Sequence, residues 1–404
     1  MHALAAACGG DDGPGATSTP LPDGGAGDVV ETADVILPSQ PDGGGLGQVV
    51  DVPDTPCSPR GGTEQVLYAD AGLVPSFVVT GRVGARRMAA TRFYGFSVFD
   101  LDGTNPSMTL IMPGPETTHA ATIGSRVLAA WEFEGSLFET VYDAQGARAA
   151  ALDYAVASAP ITGVAAGGGE DVGLVVWAEP QTIRARAVLK DGALAGAPID
   201  LLAGIPAGDF SGAVAHAGGT SFGIAWAAGT QGDHRLYFIP TSTTAAASLP
   251  RRLLTRADAI TVLSLVRTQD GFALLVQLDG APHLVRLDGA GKIVPPAFRL
   301  LGTAGGLSLA ASGDELGVLA IRAVAAEEDG GTPADGGAAV EPGPIEFRPF
   351  DKTGALAPWV CLGATPRGDA RAAIDAEGNG YAIVHRTATA DLALLRIDRR
   401  GAGP

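Results

Sequence analysis

The chain has no apolar run near the roughly 20 residues that a bilayer-spanning helix requires, so any membrane attachment must come from its N-terminus. It is short of cations: 27 Lys and Arg stand against 44 Asp and Glu, for a formal charge of -17. Such a field repels nucleic acid and anionic membrane surfaces, which sets nucleic-acid binding aside. Nor is there a GxSxG, Walker or GxGxxG segment, so nucleophile and phosphate chemistry have no anchor and no cofactor is expected. The six histidines, at 2, 119, 216, 234, 283 and 385, form no HxH or HExxH, and the three cysteines form no CxxC. No metal site follows from that spacing. Charged residues amount to only 18% beside 58 Gly and 28 Pro. That composition suits many short buried strands joined by tight turns, and the expected class is all-β.

What is present is a repeat. Seven apolar segments recur in one order: RMAATRFY at 87–94, VLAAWEF at 127–133, VGLVVWAE at 172–179, FGIAWAA at 222–228, FALLVQL at 272–278, LGVLAIR at 316–322 and YAIVHR at 381–386. One slot in them is filled by Thr91, Trp131, Trp177, Trp226, Val276, Ala320 and His385 in turn. Successive separations are about 40–50 residues, the length of a propeller blade, except for a longer last interval. That interval contains 324–344, a Gly/Pro/Glu/Asp-rich insertion with loop composition.

A second marker, Asp-x-x-Gly, follows five of the seven segments, at Asp100/Gly103, Asp143/Gly146, Asp288/Gly291, Asp351/Gly354 and Asp398/Gly401, with a looser Lys190-Asp191-Gly192 in the third unit and Pro240-Thr241-Ser242 in the fourth. Asp accepts hydrogen bonds from turn backbone and Gly takes positive φ, so this spacing describes a hairpin turn. The prediction is a β-propeller of seven four-stranded blades over residues 61–404. Units four and six are irregular, which leaves six or eight blades open. The seventh unit lacks a fourth strand, and Glu64–Ala69 (EQVLYA) is an orphan of the right kind to supply it. An N-terminal strand in the last blade removes the exposed edges that invite aggregation.

Ahead of the ring, Leu4-Ala5-Ala6-Ala7-Cys8-Gly9-Gly10 resembles the lipobox of bacterial lipoproteins, which implies lipidation of Cys8. Residues 9 to 56 hold eight Asp, one Glu and no Lys or Arg. A segment of this kind buries too little apolar surface to offset its ordering entropy, so a disordered tether over 9–60 is expected. Only seven residues precede Cys8, too few for a basic n-region and an apolar stretch, and a start further upstream is expected. With Cys8 assigned to lipid, Cys57 and Cys361 remain. Both fall near the outer edge of neighbouring blades, where a disulfide would clamp the closure; two unpaired thiols is the alternative.

Several smaller features have a functional and a plain reading. Asp375, Glu377 and Asn379 occupy positions 1, 3 and 5 of a loop that begins like a calcium-binding EF-hand, but position 12 is Arg386, so a hairpin is the better reading of this weak metal candidate. Asp100-Leu101-Asp102-Gly103 reads the same way. His119 and His216 fall on first strands, which line a propeller channel, and are weak ligand candidates there; structural hydrogen bonding is the stronger expectation. The tryptophans are expected to pack between blades. The doublets Arg86-Arg87 and Arg251-Arg252 read as solvated turn residues.

The lipobox, the Asp/Gly/Pro-rich linker and the Asp-x-x-Gly repeats together resemble those of bacterial β-propeller lipoproteins. The resemblance implies an exported, monomeric, lipid-anchored protein of the cell envelope, at the outer membrane. Its ring would act as a binding or scaffold module for a protein or glycan partner. Two alternatives stand beside this: a propeller hydrolase or lyase whose polar residues converge in the channel, and a structural envelope component.

Overall fold

The structure, a computed structural model, describes residues 37–38, 45–59, 64–68, 77–91, 95–110, 117–149, 154–157, 160–203, 210–230, 232–243, 251–324, 341–355, 358–362, 372–386 and 392–398. Cys8, most of the tether and residues 325–340 of the insertion at 324–344 lie outside them. Every element among the described residues is a strand.

The strands form seven sheets, arranged as the seven blades of a β-propeller within a single unit spanning Val35–Pro404. Blade one contains Phe77–Val83, Arg86–Thr91, Gly95–Asp100 and Ser107–Leu110. Blade two contains Thr117–Ile123, Arg126–Phe133, Ser136–Asp143 and Tyr154–Ala157, and blade three Gly163–Gly168, Val172–Glu179, Thr182–Leu189 and Leu194–Ala203. Blades four and five start from Ser211–Gly218 and Ile260–Arg267, and blade six from Thr303–Ser312. Blade seven has Ala373–Glu377, Gly380–Arg386 and Leu392–Asp398, and its outer strand is Glu64–Tyr68, antiparallel to Leu392–Asp398. The chain therefore closes its ring with the orphan strand, as the repeat count requires.

Alternation along each strand sends successive side chains to the two neighbouring blades. The result is seven buried apolar clusters, one per blade interface. Trp131, Trp177 and Trp226 each pack on the blade before their own: Trp131 with Met88 and Val98, Trp177 with Leu128 and Val141, and Trp226 with Leu174 and Ile183. Near the axis the first strands come close enough for the hairpin backbones to bond directly. Gly124 N–H donates to the Gly169 carbonyl at 2.8 Å. Further round the ring, Val262 N–H donates to Ser211 Oγ at 2.9 Å.

Four of the Asp-x-x-Gly segments are hairpin turns; the fifth, Asp398/Gly401, runs outside the described residues. Asp143 Oδ1 accepts from the amides of Gln145 and Ala147, Asp288 Oδ1 from those of Ala290 and Lys292, and Asp351 Oδ1 from Thr353 and Gly354. Asp102 Oδ1 likewise accepts from the Thr104 amide and hydroxyl, so Asp100–Gly103 is a turn of the same family.

One expectation fails. Residues 45 to 59 are not a disordered part of the tether: they form a strap along the outer rim. Val49–Val52 pairs in parallel with Ala297–Leu300 of blade five, and Ser58–Pro59 with Val360–Cys361 of blade six. Leu37–Pro38 adds the same kind of pairing to Arg252–Leu253 of blade four. Low hydrophobicity averaged over 9–60 conceals two devices that order this part. The outer strands offer unpaired backbone groups, and a few well-placed residues, Leu46 and Val52 in the core and Asp51 and Asp54 on arginines, fix the register.

Candidate functional site

Two polar clusters stand out among the interfaces between blades. The first lies where the ring closes, between blades seven and one. Among the described residues this seam has seven buried apolar residues in its cluster, against seventeen between blades four and five. A guanidinium supplements them. Arg87, on the second strand of blade one, is 0% exposed, with Nη1 2.8 Å from Asp375 Oδ2 and Nη2 3.3 Å from Glu377 Oε2. Arg396 Nε reaches the same Glu377 oxygen at 3.4 Å. Asp375 sits in the middle of the first strand of blade seven, and burial there pushes its carboxyl above the ordinary range, against the opposing pull of Arg87 and Arg82.

Asp375, Glu377 and Asn379 thus belong to a hairpin. Glu377 pairs with Gly380 across it, and Gly378 takes the positive φ of the turn, 55°. Two of the three residues of the weak metal candidate spend their carboxylates on arginine.

The arginine doublets are neither solvated nor an anion site. Neighbouring residues on a strand point to opposite faces, so each doublet spans two interfaces. Arg86 pairs with Asp100 of its own blade at 3.0 Å and donates to the Ala144 carbonyl of blade two at 2.8 Å, while Arg87 faces blade seven. Arg251 donates to the Leu201 carbonyl of blade three at 3.2 Å, and Arg252 to the Ala290 carbonyl of blade five at 2.7 Å. Sequence reasoning missed this role because the doublets flank turns, where exposed charge is the common case.

His119 and His216 do lie on first strands. His216 Nε2 donates to the Gly219 carbonyl at 3.0 Å, and its ring meets Phe222 edge-on at 5.3 Å, so it braces its own hairpin. It also covers the blade-three hairpin, since a Cβ on Gly169 would run into the imidazole. His119 is half-buried opposite Ala130.

The second cluster is the clasp of the strap. Cys57 and Cys361 are joined by a disulfide, with Cα atoms 5.2 Å apart at a sequence separation of 304. Beside it, Glu346 is 1% exposed and sits opposite Cys361 in the sheet register. Arg322 Nη1 lies 3.0 Å from Glu346 Oε1, and its Nη2 reaches Asp54 Oδ1 at 2.5 Å. Burial raises the Glu346 carboxyl, with Arg322 opposing. Arg348 is buried against Phe350 and Trp359, its guanidinium 5.4 Å from the Trp359 ring. On blade five, Asp51 holds Arg299 through both carboxylate oxygens, each bond 2.8 Å long. Neither Glu346 nor Arg322 carries a sequence signal, because only the sheet register brings them to the cysteines.

No family model and no curated relative matches this sequence. Solved structures match in fold. A prolyl endopeptidase, from a study of inter-domain dynamics in two such enzymes, is 15% identical with a TM-score of 0.50, over 81% of this chain and 48% of that one. The chain therefore spans about half the length of that enzyme. A polysaccharide lyase of family PL25, an ulvan lyase bound to -[GlcA(1-4)Rha3S]-, is 10% identical with a TM-score of 0.49, over 81% and 94% of the two chains. BBS1N, solved in complex with ARL6DN, is 11% identical with a TM-score of 0.49, over 85% and 98%. Enzymes and a protein in a complex stand side by side here, and the likeness is one of fold alone.

Proposed function

We propose that this protein is an exported β-propeller, tethered to the membrane by a lipid on Cys8, whose ring is a binding or scaffold module for a protein or glycan partner. The observation that carries this reading is the clasped strap. The segment between the lipobox and the ring is stitched to the rim of blades five and six and bonded through Cys57 to Cys361. A disulfide of this kind belongs to an oxidising compartment, in keeping with export. The strap and its clasp also spread a pull on the anchor over the rim of blades four, five and six before it reaches the closing strand Glu64–Tyr68. The first strands add support: Gly163–Gly168 and Ser211–Gly218 are built almost wholly of Gly, Ala, Val and Ser, a surface suited to shape recognition.

A second reading has one specific observation behind it. Asp375 keeps a proton more readily than an ordinary carboxyl, and Glu377 lies two residues away, which are the ingredients of general acid catalysis in a hydrolase or lyase.

The experiment is to express the chain behind an intact export signal in a Gram-negative bacterium, with an alkyne-bearing fatty acid in the medium, beside a Cys8→Ser variant. The tethered reading expects label and membrane association in the parent and neither in the variant. The released protein is then incubated with a panel of envelope polysaccharides and peptides. Retention without cleavage supports the binding module. Cleavage that disappears in Asp375→Asn transfers the case to the enzyme. Anchoring with neither retention nor cleavage leaves a structural envelope component, and no label on the parent overturns the tether.

A further inference from the structure

We propose that Cys57, Cys361 and Glu346 form a redox-gated site for a thiophilic divalent cation of the zinc and cadmium class, available once the Cys57–Cys361 disulfide is reduced. The proposal is independent of what the ring binds.

The geometry carries it. One ligand atom from each of the three side chains lies within 4.8 Å of the other two. Two sulfurs on a tetrahedral zinc ion, with Zn–S near 2.3 Å, stand roughly 3.8 Å apart, so the thiolates need only small side-chain rotations from backbones already 5.2 Å apart at Cα. The three ligands come from separate segments held in register. Cys361 lies opposite Glu346 within blade six, and the strap pairs Ser58, the neighbour of Cys57, with Val360. A water would complete four-coordination. Glu346 is also oriented as a metal-binding carboxylate usually is, because Arg322 donates to its Oε1 and Thr55 and Asp54 accept from the same guanidinium.

Charge favours the ion. In the reduced, metal-bound state, two thiolates and the carboxylates of Glu346 and Asp54 carry four negative charges. Arg322, Arg348 and a divalent ion carry four positive charges. The chemistry balances in two steps. An external dithiol reduces the disulfide, giving two electrons and two protons to the sulfurs while it becomes a disulfide itself; binding then releases the two thiol protons to solvent. Ion and disulfide are alternative cross-links at one place, and either keeps the strap bound to blade six when the other is absent.

The test uses the full chain with Cys8→Ser, so that only this pair of thiols remains, reduced by a phosphine under anaerobic conditions. Cadmium is titrated in while the thiolate-to-cadmium charge-transfer band is followed in the ultraviolet, and zinc affinity is measured against a chromophoric chelator. The expected result is one ion per reduced chain and none per oxidised chain, loss of the band in Cys361→Ser, and an affinity at least tenfold weaker in Glu346→Gln. The oxidised Glu346→Gln protein is checked by circular dichroism. Should it fail to fold, Cys361→Ser and the zinc-induced rise in melting temperature of the reduced parent decide the matter. Equal binding by the oxidised chain or by Cys361→Ser, or unchanged affinity in a folded Glu346→Gln protein, overturns the site.

Discussion

Arg87 Nη1 and Asp375 Oδ2 lie 2.8 Å apart across the place where the ring closes, the arginine fully buried and the aspartate side chain 30% exposed. The pair joins the first blade to the last at the interface with the smallest apolar cluster among the described residues. It acts with Glu377, which takes the second terminal nitrogen of the same guanidinium.

Removing this arginine therefore leaves the Asp375 carboxylate facing an apolar seam without its guanidinium, while Glu377 keeps Arg396. Arg87→Ala is expected to cost about 3–5 kcal/mol in chemical denaturation, the range for breaking a buried pair from one side. Arg86→Ala, whose partners are part-exposed, should cost clearly less. Equal losses for the two would show that the seam does not depend on Arg87.

The Asp375 carboxyl, raised chiefly by burial and drawn back by Arg87, gives a pH signature. A folded-state pKa above the unfolded value means that the folded chain holds the proton more tightly. The stabilisation is complete below the ordinary value of 3.8 and is lost as pH rises through the folded-state pKa. Denaturation midpoints measured upward from pH 4 should carry a falling component that Asp375→Asn abolishes. An unchanged profile in that variant would assign the slope elsewhere.

The clasp should matter more than its size implies. The Cys57→Ser/Cys361→Ser double variant is expected to lose about 2–4 kcal/mol, and the chain-entropy argument places a loop this long at the upper end or beyond. The loss should be local in its first effect. Amide exchange in Glu64–Tyr68 and Leu392–Asp398 should accelerate before that of blades two and three, and uniform acceleration would argue against a clasp on the closure.

Close packing of the first strands sets a steric limit. A Cβ on Gly168 would overlap the Thr122 carbonyl of the neighbouring blade, whereas one on Gly313 would meet open space and bear only the strain of φ 66°. Gly168→Ala is expected to destabilise by about 2–3 kcal/mol and Gly313→Ala by about 1 kcal/mol, measured as thermal or denaturant shifts. The reverse order would mean that the blades do not meet as closely as the inner backbone bonds require.

Much of the fold could be read from the chain alone, and for a physical reason. Each blade is a local unit whose period-2 apolar pattern and Asp-x-x-Gly turns depend on residues a few positions apart, so Trp131, Trp177 and Trp226 repeat because the interface they fill repeats. The closing strand was legible too, as a bookkeeping consequence of a seventh unit that stops one strand short. The sites were less so. Asp375 and Glu377 were legible as a hairpin, but not as ion-pair partners, because spacing alone says nothing of Arg87, 288 residues away from Asp375. Arg86 and Arg87 looked solvated because a strand's two faces cannot be assigned to neighbours until the ring is built. Composition over 9–60 reads as disorder because pairing with an outer strand leaves little apolar trace in the segment that docks.

Sequence by itself determined the all-β class, the blade period and the way the ring closes, since these rest on local propensity and on counting repeats. Only the tertiary structure decided which charges meet: Arg87 with Asp375 and Glu377 at the seam, and Glu346 with Arg322 beside the Cys57–Cys361 clasp. Such contacts depend on the register between strands far apart in the chain, and a side chain's electrostatic role is fixed by the groups it faces across an interface.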